Sequence, residues 1–222
     1  MSEALASAPP RMLRLIPSRF PPIGLFDTVA TAADLAAVME LAGWTNDRLV
    51  AERIERLPRA EWVYGRPNAS VVMAAFLHVA PAGMRFNGPE LGAWYAGADL
   101  ATCAAEVGHH LRREAVSRAL PGLTRTYRTY AARLEGDFVD IREARQSRPE
   151  LYAPDSYVAS QAFGEAVRAS ARAGILYGSV RLKGGVNAAV YRPSLVLDVV
   201  QAEHFRIEVE AKGRRIAVAK IG

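Results

Sequence analysis

The segment 177–187 carries the densest set of groups in the chain that can bind a ligand. It places a hydroxyl (Ser179), two cations and an amide (Asn187) among glycines. Glycines let a ligand approach backbone N–H groups closely, as in anion-binding turns. The alternative is an ordinary β-hairpin turn. The segment is not a P-loop, because Lys183 precedes the glycine pair and no Gly-Lys-Ser/Thr is present.

Two arginines lie in segments rich in chain-breaking residues. Arg85 belongs to the loop 81–89, and loops of this kind often carry binding groups. Arg19 precedes Phe20 and two prolines, which stiffen the segment, so its guanidinium loses little entropy on binding a phosphate or carboxylate. The alternatives are a solvated loop arginine for Arg85 and a surface salt bridge for Arg19. Taken alone, Arg19 is better explained by the salt bridge.

A carboxylate and a tyrosine form the third candidate set. Asp99 is a predicted cap for a helix, and Glu106 lies on the flank of that helix's apolar stripe, where it can face a cleft. Tyr95 lies in a short predicted strand just before. A carboxylate held ionised by an arginine stabilises positive charge in a transition state. The alternative for Glu106 is an i,i+4 pair with His110.

Few residues indicate a disulfide, a metal centre or a serine nucleophile. The single cysteine, Cys103, excludes an internal disulfide, and its alanine neighbours indicate a buried apolar residue. The histidines lack metal-site spacing, so we expect no metal centre. Ser179 has no histidine in its motif to activate it, which favours a binding group over a nucleophile.

The predicted elements that position these groups mix helices and strands. Helices are predicted after Thr31, after Thr45 or Asn46, after Asp99 and after Asp155. The segment 71–79 is either a strand or a buried helix turn. Strands are predicted at 93–96, 123–134, 138–141, 175–177, 188–191, 195–200, 204–209 and 216–221. This order indicates an α+β fold, and without Gly-x-Gly-x-x-Gly a Rossmann fold is not supported.

Length and composition predict one domain. We divide the 222 residues into a disordered tail (1–12), an N-terminal segment with a helical module packed on the core (13–60), and the core itself (61–222). The net charge of +5 suits an anionic small molecule, but no dense cationic block favours nucleic acid. No secretory signal or membrane-length apolar run is apparent, so we expect a cytoplasmic protein.

In their order and spacing, these motifs resemble the RES-domain family, named for an arginine, a glutamate and a serine. The matching text runs over most of the chain, from about Arg14 to Val200. Its parts are Arg19-Phe20-Pro-Pro, Arg85-Phe86-Asn87, Trp94-Tyr95-Ala96, Ala105-Glu106 with His109-His110, Gly174 to Arg181, and Gly184-Gly185-Val-Asn187. Phe20 departs from the pattern, since many members carry tyrosine there.

The resemblance implies a fold related to ADP-ribosyltransferase toxins, with mostly antiparallel sheets and packed helices. It implies an enzyme that consumes NAD as substrate, without a prosthetic group, by cleaving the nicotinamide–ribose bond as a phosphorylase or glycohydrolase. Carried over by position, Arg85 and Glu106 are the catalytic residues. Those expected to bind NAD are Arg19, Phe20, Arg85, Tyr95, Ser179 and Asn187.

The same resemblance implies the toxin of a toxin–antitoxin pair, with a helix-turn-helix (Xre-type) antitoxin as partner. It also implies inorganic phosphate or water as the acceptor of the ADP-ribosyl group. Two alternatives stay open: an ADP-ribosyltransferase that modifies a protein or nucleic acid, and a non-catalytic binding protein on the same scaffold. A homo-oligomer is also left open, whereas membrane association and direct DNA binding are not expected.

Overall fold

The computed structural model describes residues 3–20, 24, 26–31, 34 and 48–221, with the side chains of 48–51 left aside. In these ranges nine strands form one sheet in the order β1-β5-β6-β7-β3-β2-β4-β8-β9. The strands are β1 (Leu5–Ala6), β2 (Met12–Pro17), β3 (Trp94–Gly97), β4 (Gly122–Leu134), β5 (Phe138–Asp140), β6 (Gly174–Gly178), β7 (Val186–Val190), β8 (Val196–Glu210) and β9 (Ile216–Ile221). Neighbouring strands are antiparallel except β5 and β6, which are parallel. The α+β class and the mostly antiparallel pairing are therefore confirmed, in one sheet.

Four α-helices lie in the described part of the chain. They are α1 (Arg48–Glu55), α2 (Ala69–Leu77), α3 (Leu100–Ser117) and α4 (Val158–Ala169). Short 3₁₀ helices occupy Arg59–Glu61, Pro149–Tyr152 and Pro193–Leu195. None of the helices in the described ranges is long and apolar enough to cross a membrane.

Helix α3 begins where the sequence predicts. The Asp99 carboxylate accepts a hydrogen bond from the backbone N–H of Thr102 at 2.7 Å, which satisfies one of the free donors of the first turn. The predicted helix after Asp155 begins later, at Val158, with Tyr157 as its N-cap and no side-chain cap bond. The helix ends at Ala169, earlier than the expected end at Gly174. Gly174 is instead the first residue of β6.

The ambiguous segment 71–79 is helical as far as Leu77, as part of α2. The two carboxylate oxygens of Asp27 accept hydrogen bonds from the backbone N–H groups of Asn68 and Ser70 at 3.1 and 2.7 Å. A residue more than forty positions away thus closes the start of this helix. Periodicity within the segment could not show that contact, because the helix is apolar on nearly every side.

Strand β4 has two buried faces, in agreement with the alternation in its sequence. Tyr127 packs in a cluster with Leu111 of α3, whereas Tyr130 packs in a second cluster with Met73 of α2. The sheet therefore separates α3 from α2, and both helices are fixed against β4. A third cluster packs α4 residues against β6.

Two strand predictions are corrected. Gly136 and Asp137 between the predicted strands 123–134 and 138–141 indicate a turn that folds the second strand back on the first, but β5 pairs with β1 and β6 and forms no hairpin with β4. The predicted strands 195–200 and 204–209 are one strand, β8, which stays paired with β4 through two register shifts. Irregularities of this kind bend a strand without ending it, so the break in sequence pattern does not mark a strand end.

The N-terminal predictions have a mixed outcome. The tail 1–12, predicted to be disordered, contains β1, which pairs with β5, and the first residue of β2; the tail prediction is therefore wrong there. Backbone pairing with a partner far along the chain orders it, which composition does not reveal.

The helix predicted after Thr31 lies outside the described residues. Thr31 and Asp34 are described, and they make the reciprocal hydrogen bonds of a capping box. The predicted helix after Thr45 or Asn46 is confirmed as α1.

Strand β2 lies in the middle of the sheet, between β3 and β4. It pairs with β4 along its whole length, whereas its pairing with β3 consists of one residue pair, Leu13 and Gly97. No other register pair joins β2 to β3, so the two strands diverge beyond Leu13 and Gly97 while β3 stays paired with β7. An opening in the sheet follows from this divergence.

Candidate active site

A cavity of about 260 Å³ lies at the opening between β2 and β3. Its walls come from β2, β3, α3, the loop before β3 and the ends of α2, β6 and β7. The polar, titratable and aromatic side chains in its lining include Arg14, His78, Arg85, Tyr95, Cys103, Glu106, His110, Tyr157, Tyr177 and Asn187. Residues from at least six separate segments therefore meet at one place.

Glu106 is held in the cavity wall through one of its two oxygens. Ser179 Oγ donates to Glu106 Oε1 at 2.7 Å, and Asn187 Nδ2 donates to the same atom at 2.9 Å. No described residue donates a hydrogen bond to Oε2. No ion pair joins Glu106 to His110, although the structure describes both residues, so the i,i+4 alternative does not hold. The carboxylate is fixed in direction and keeps one oxygen for a ligand.

Ser179 lies behind Glu106 at the start of the turn between β6 and β7. Its Oγ accepts hydrogen bonds from the backbone N–H groups of Arg181 and Leu182 at 3.1 and 3.0 Å. Because the oxygen accepts both of these bonds, the hydroxyl proton is free to point to Glu106. Ser179 is 4% exposed and is absent from the described lining of the cavity. The geometry therefore favours a positioning role over direct contact with a ligand.

The second residue of the glycine pair in this turn, Gly185, leaves no room for a side chain. A Cβ atom there would lie 2.8 Å from Thr102 Oγ1 and 3.1 Å from the Cβ of Ser179. The carbonyl of Gly185 also accepts the backbone N–H of Ser179 at 2.7 Å. The turn thus packs closely on α3, which brings Ser179 within reach of Glu106.

Arg85 contributes a cation to the cavity wall. Its Nη1 donates to the carbonyl oxygens of Leu151 and Ala153 at 3.3 and 2.9 Å, and its guanidinium stacks on the ring of Tyr157 at 4.6 Å. The side chain is 8% exposed, and no carboxylate among the described residues forms an ion pair with it. A fixed arginine without an anionic partner is suited to binding an anion.

Tyr95 connects the cavity wall to the Arg85 loop. Its hydroxyl donates to Asn87 Oδ1 at 2.8 Å and accepts from the backbone N–H of Phe86 at 3.0 Å. Burial raises the pKa of Tyr95 well above its usual value, so the hydroxyl keeps its proton. Tyr95 thus lines the cavity and its hydroxyl holds the two residues that follow Arg85.

Arg14 is a second cavity arginine, which the sequence prediction missed. Its Nη1 donates to the carbonyl of Tyr95 at 3.0 Å and its guanidinium lies 4.9 Å from the centre of the Trp94 ring. Its Nε is buried without a partner. Desolvation lowers the pKa of Arg14 to about 10, against weaker raising effects of Tyr95 and Cys103, so it stays cationic at neutral pH. The available signal was a lone arginine inside the apolar strand Met12–Pro17.

Other polar groups in the wall hold their protons. Burial, and next the nearby Glu106, raise the pKa of Tyr177 well above its usual value. Burial raises the pKa of Cys103 to about 12, and its thiol donates to the carbonyl of Leu13 at 3.1 Å. Cys103 is therefore the inert buried residue that its neighbours indicate.

The candidate residues do not all meet. Arg85, Tyr95, Glu106 and Asn187 line the cavity, and Ser179 contacts Glu106. Arg19 and Phe20 are absent from the described lining; the Arg19 guanidinium lies 4.9 Å from the ring centre of Phe20, which is 51% exposed. They follow β2 beyond Pro17, whereas the part of β2 at the cavity is 13–15.

Comparison with known proteins gives the family. The sequence model of the RES domain matches residues 53–210, more than half of the chain. The chain therefore belongs to the RES-domain family. Residues 53–210 include Arg85, Tyr95, Glu106, Ser179 and Asn187, whereas Arg14, Arg19 and Phe20 lie outside.

A search of curated proteins found no match. Among solved structures, the chain is similar to one described as the crystal structure of the M. tuberculosis MbcT–MbcA toxin–antitoxin complex. That similarity has 19% sequence identity and a TM-score of 0.40, and covers 55% of this chain and 73% of the other.

Proposed function

We propose that this RES-domain protein is an enzyme that consumes NAD by cleaving its nicotinamide–ribose bond. The observation that carries the proposal is Glu106, whose carboxylate is fixed through Oε1 and has Oε2 without a partner among the described residues. It lines a cavity that also holds two cations, Arg14 and Arg85. This combination suits a substrate whose reaction develops positive charge and whose remainder is anionic.

The chemistry of NAD matches both requirements. Departure of nicotinamide leaves an oxocarbenium-like ribose, and a fixed carboxylate beside that carbon lowers the barrier because it needs no reorganisation during the reaction. The pyrophosphate of NAD is anionic, and guanidinium groups bind such oxygens in bidentate fashion. In this proposal Glu106 stabilises the ribose, and Arg14 and Arg85 attract the pyrophosphate.

The size of the cavity fits a part of the dinucleotide. Its volume of about 260 Å³ is slightly below the range of roughly 300–1,000 Å³ for pockets that enclose drug-sized ligands. We assign the enclosed part to nicotinamide and its ribose, next to Glu106. The adenosine end then extends over the exposed rim.

The family also supports a proposal about partners. We infer that the protein acts in the cytoplasm as the toxin of a toxin–antitoxin pair and that a helix-turn-helix protein is its antitoxin. Family membership supports this inference, because members described as toxins have such partners. If expression of the protein alone arrests growth, co-expression with a candidate helix-turn-helix antitoxin should restore growth, and failure of every such candidate to do so would contradict this inference.

Incubation of the purified protein with NAD tests the enzymatic proposal. Nicotinamide release is followed with and without inorganic phosphate, and the second product is identified by mass spectrometry. We expect free ADP-ribose or ADP-ribose 1″-phosphate. Transfer of label from NAD to a macromolecule in cell lysate would instead support an ADP-ribosyltransferase, and no nicotinamide release under any of these conditions would exclude the proposal.

A further inference from the structure

His110 lies one helical turn after Glu106 on α3 and lines the same cavity. Residues four positions apart share one face of a helix, so both side chains approach the same space. His110 is exposed at the cavity rim, whereas Glu106 is half-buried. The arrangement places an imidazole beside the carboxylate without a bond between them.

Few of the cavity groups can accept a proton at neutral pH. Tyr95, Tyr177 and Cys103 are protonated, because burial raises the pKa of each. Arg14 and Arg85 are cations. Among the described lining residues, this leaves Glu106, His110 and His78, and His78 belongs to a different wall, just after α2.

Glu106 is poorly placed to act as the base as well. Its Oε1 already accepts two hydrogen bonds, and its charge is needed beside the ribose carbon until the new bond has formed. Protonation of the carboxylate by the attacking nucleophile would remove that charge in the transition state. A separate base next to Glu106 avoids this conflict.

We propose that His110 is the catalytic base of this site and that water is the acceptor. This inference rests on the proposed function. The bond between C1″ of the nicotinamide ribose and the nicotinamide nitrogen breaks, and nicotinamide leaves neutral with the electron pair. A water oxygen forms the new bond to C1″, and His110 takes its proton and later releases it to solvent. The products are ADP-ribose, nicotinamide and one proton, so atoms and charge balance.

Desolvation and the cationic neighbours of His110 favour the neutral imidazole, whereas Glu106 opposes it, and the charged or titratable groups near His110 come from several elements. They are Arg113 and His109 on α3, Arg181 in the turn after β6, Arg85 in the loop before β3, and Glu106. Desolvation lowers the pKa of His110, Glu106 opposes this, and Arg113, Arg181 and Arg85 lower it further. The net direction is downward from 6.5, so His110 is unprotonated at pH 7 and can accept a proton.

Replacement of His110 tests the inference, with the neighbouring histidine as a matched control. His110→Gln should lower kcat for hydrolysis in phosphate-free buffer by roughly 10²-fold, with KM for NAD changed less than about twofold. His109→Gln removes the adjacent imidazole, which is absent from the described lining, and should keep the wild-type rate. Azide, an anionic nucleophile that needs no base, should restore nicotinamide release by the His110→Gln variant.

The pH profile gives a second, independent measurement. The wild-type kcat should fall as the pH drops through the pKa of His110, and the contribution of this group should vanish in His110→Gln. If the wild type releases nicotinamide and His110→Gln does so at the same rate, the inference about His110 is overturned and the proposed function stands. Phosphorolysis without any hydrolysis would also overturn it alone, because water would not be the acceptor. No nicotinamide release by the wild type would overturn the proposed function together with it.

Discussion

At the scale of single residues, the site depends on how one carboxylate is held. Ser179 donates to Glu106 Oε1 and is itself fixed by two backbone donors, so it sets the direction of Oε2. The sequence favours Ser179 as a binding group, and the family resemblance implies that it binds NAD. The structure favours an indirect role, through Glu106, which short motifs cannot distinguish because they carry no contacts.

Ser179→Ala should therefore impair catalysis more than binding. Loss of one hydrogen bond to a charged group costs about 1.5–3 kcal/mol, so kcat should fall roughly 10- to 100-fold while KM for NAD changes little. Steady-state nicotinamide release measures both constants. Ser147→Ala is the control, because its hydroxyl bonds to the exposed carbonyl of Ala144 away from the cavity. A rise in KM with unchanged kcat would show instead that Ser179 contacts NAD.

The two N-terminal arginines provide a matched comparison. Arg14→Met should raise KM for NAD by about tenfold or more, because it removes a cation from the cavity. Its cost in folding free energy should be small, since the desolvation of a buried guanidinium with an unpartnered Nε is relieved. Arg19→Met should leave KM within about twofold. The reverse order of effects would return the substrate-binding role to Arg19.

At the scale of elements, the cap of α3 was predictable and its consequence can be measured. Asp99→Ala removes the hydrogen bond to Thr102 and should lower the free energy of unfolding by about 1 kcal/mol, within a usual range of 0.5–2. Urea denaturation measures this change. Asp155→Ala is the control, because α4 has no side-chain cap bond and begins after Tyr157. Equal effects of the two substitutions would contradict the assigned role of Asp99.

Elements with local signals were predicted well, whereas elements that depend on distant partners were not. The strands β3, β6 and β7 and the two faces of β4 follow from alternation and turn residues. The short strand β1 is ordered by β5, more than 130 residues later, and α2 by Asp27. The divergence of β2 from β3, which makes the cavity, depends on the full strand order, and no motif encodes that order.

At the scale of the whole molecule, the net charge of +5 agrees with an anionic substrate. Added salt should raise KM for NAD, because it screens the attraction between the pyrophosphate and the arginines, while kcat changes little. Kinetics between low and physiological ionic strength measure the effect. A KM independent of salt would contradict an electrostatic role for the cavity arginines.

The sequence predicts part of the membership of the candidate site and none of its arrangement. The order of short motifs indicated Arg85, Tyr95, Glu106, Ser179 and Asn187 before any contact was known. Arg14 was missed, because an arginine within a strand resembles any solvated residue until the strand is seen at the centre of the sheet. The same central position of β2 places its residues 13–15, and not Arg19, in the cavity wall.

In the proposed function, Glu106 carries the cleavage of the nicotinamide–ribose bond. Glu106→Gln keeps the shape of the side chain and removes the charge, so nicotinamide release should fall by roughly 10²–10³-fold with the fold intact. Glu203→Gln, which changes an exposed carboxylate on β8, controls for the change in net charge. Wild-type nicotinamide release by Glu106→Gln would contradict the account.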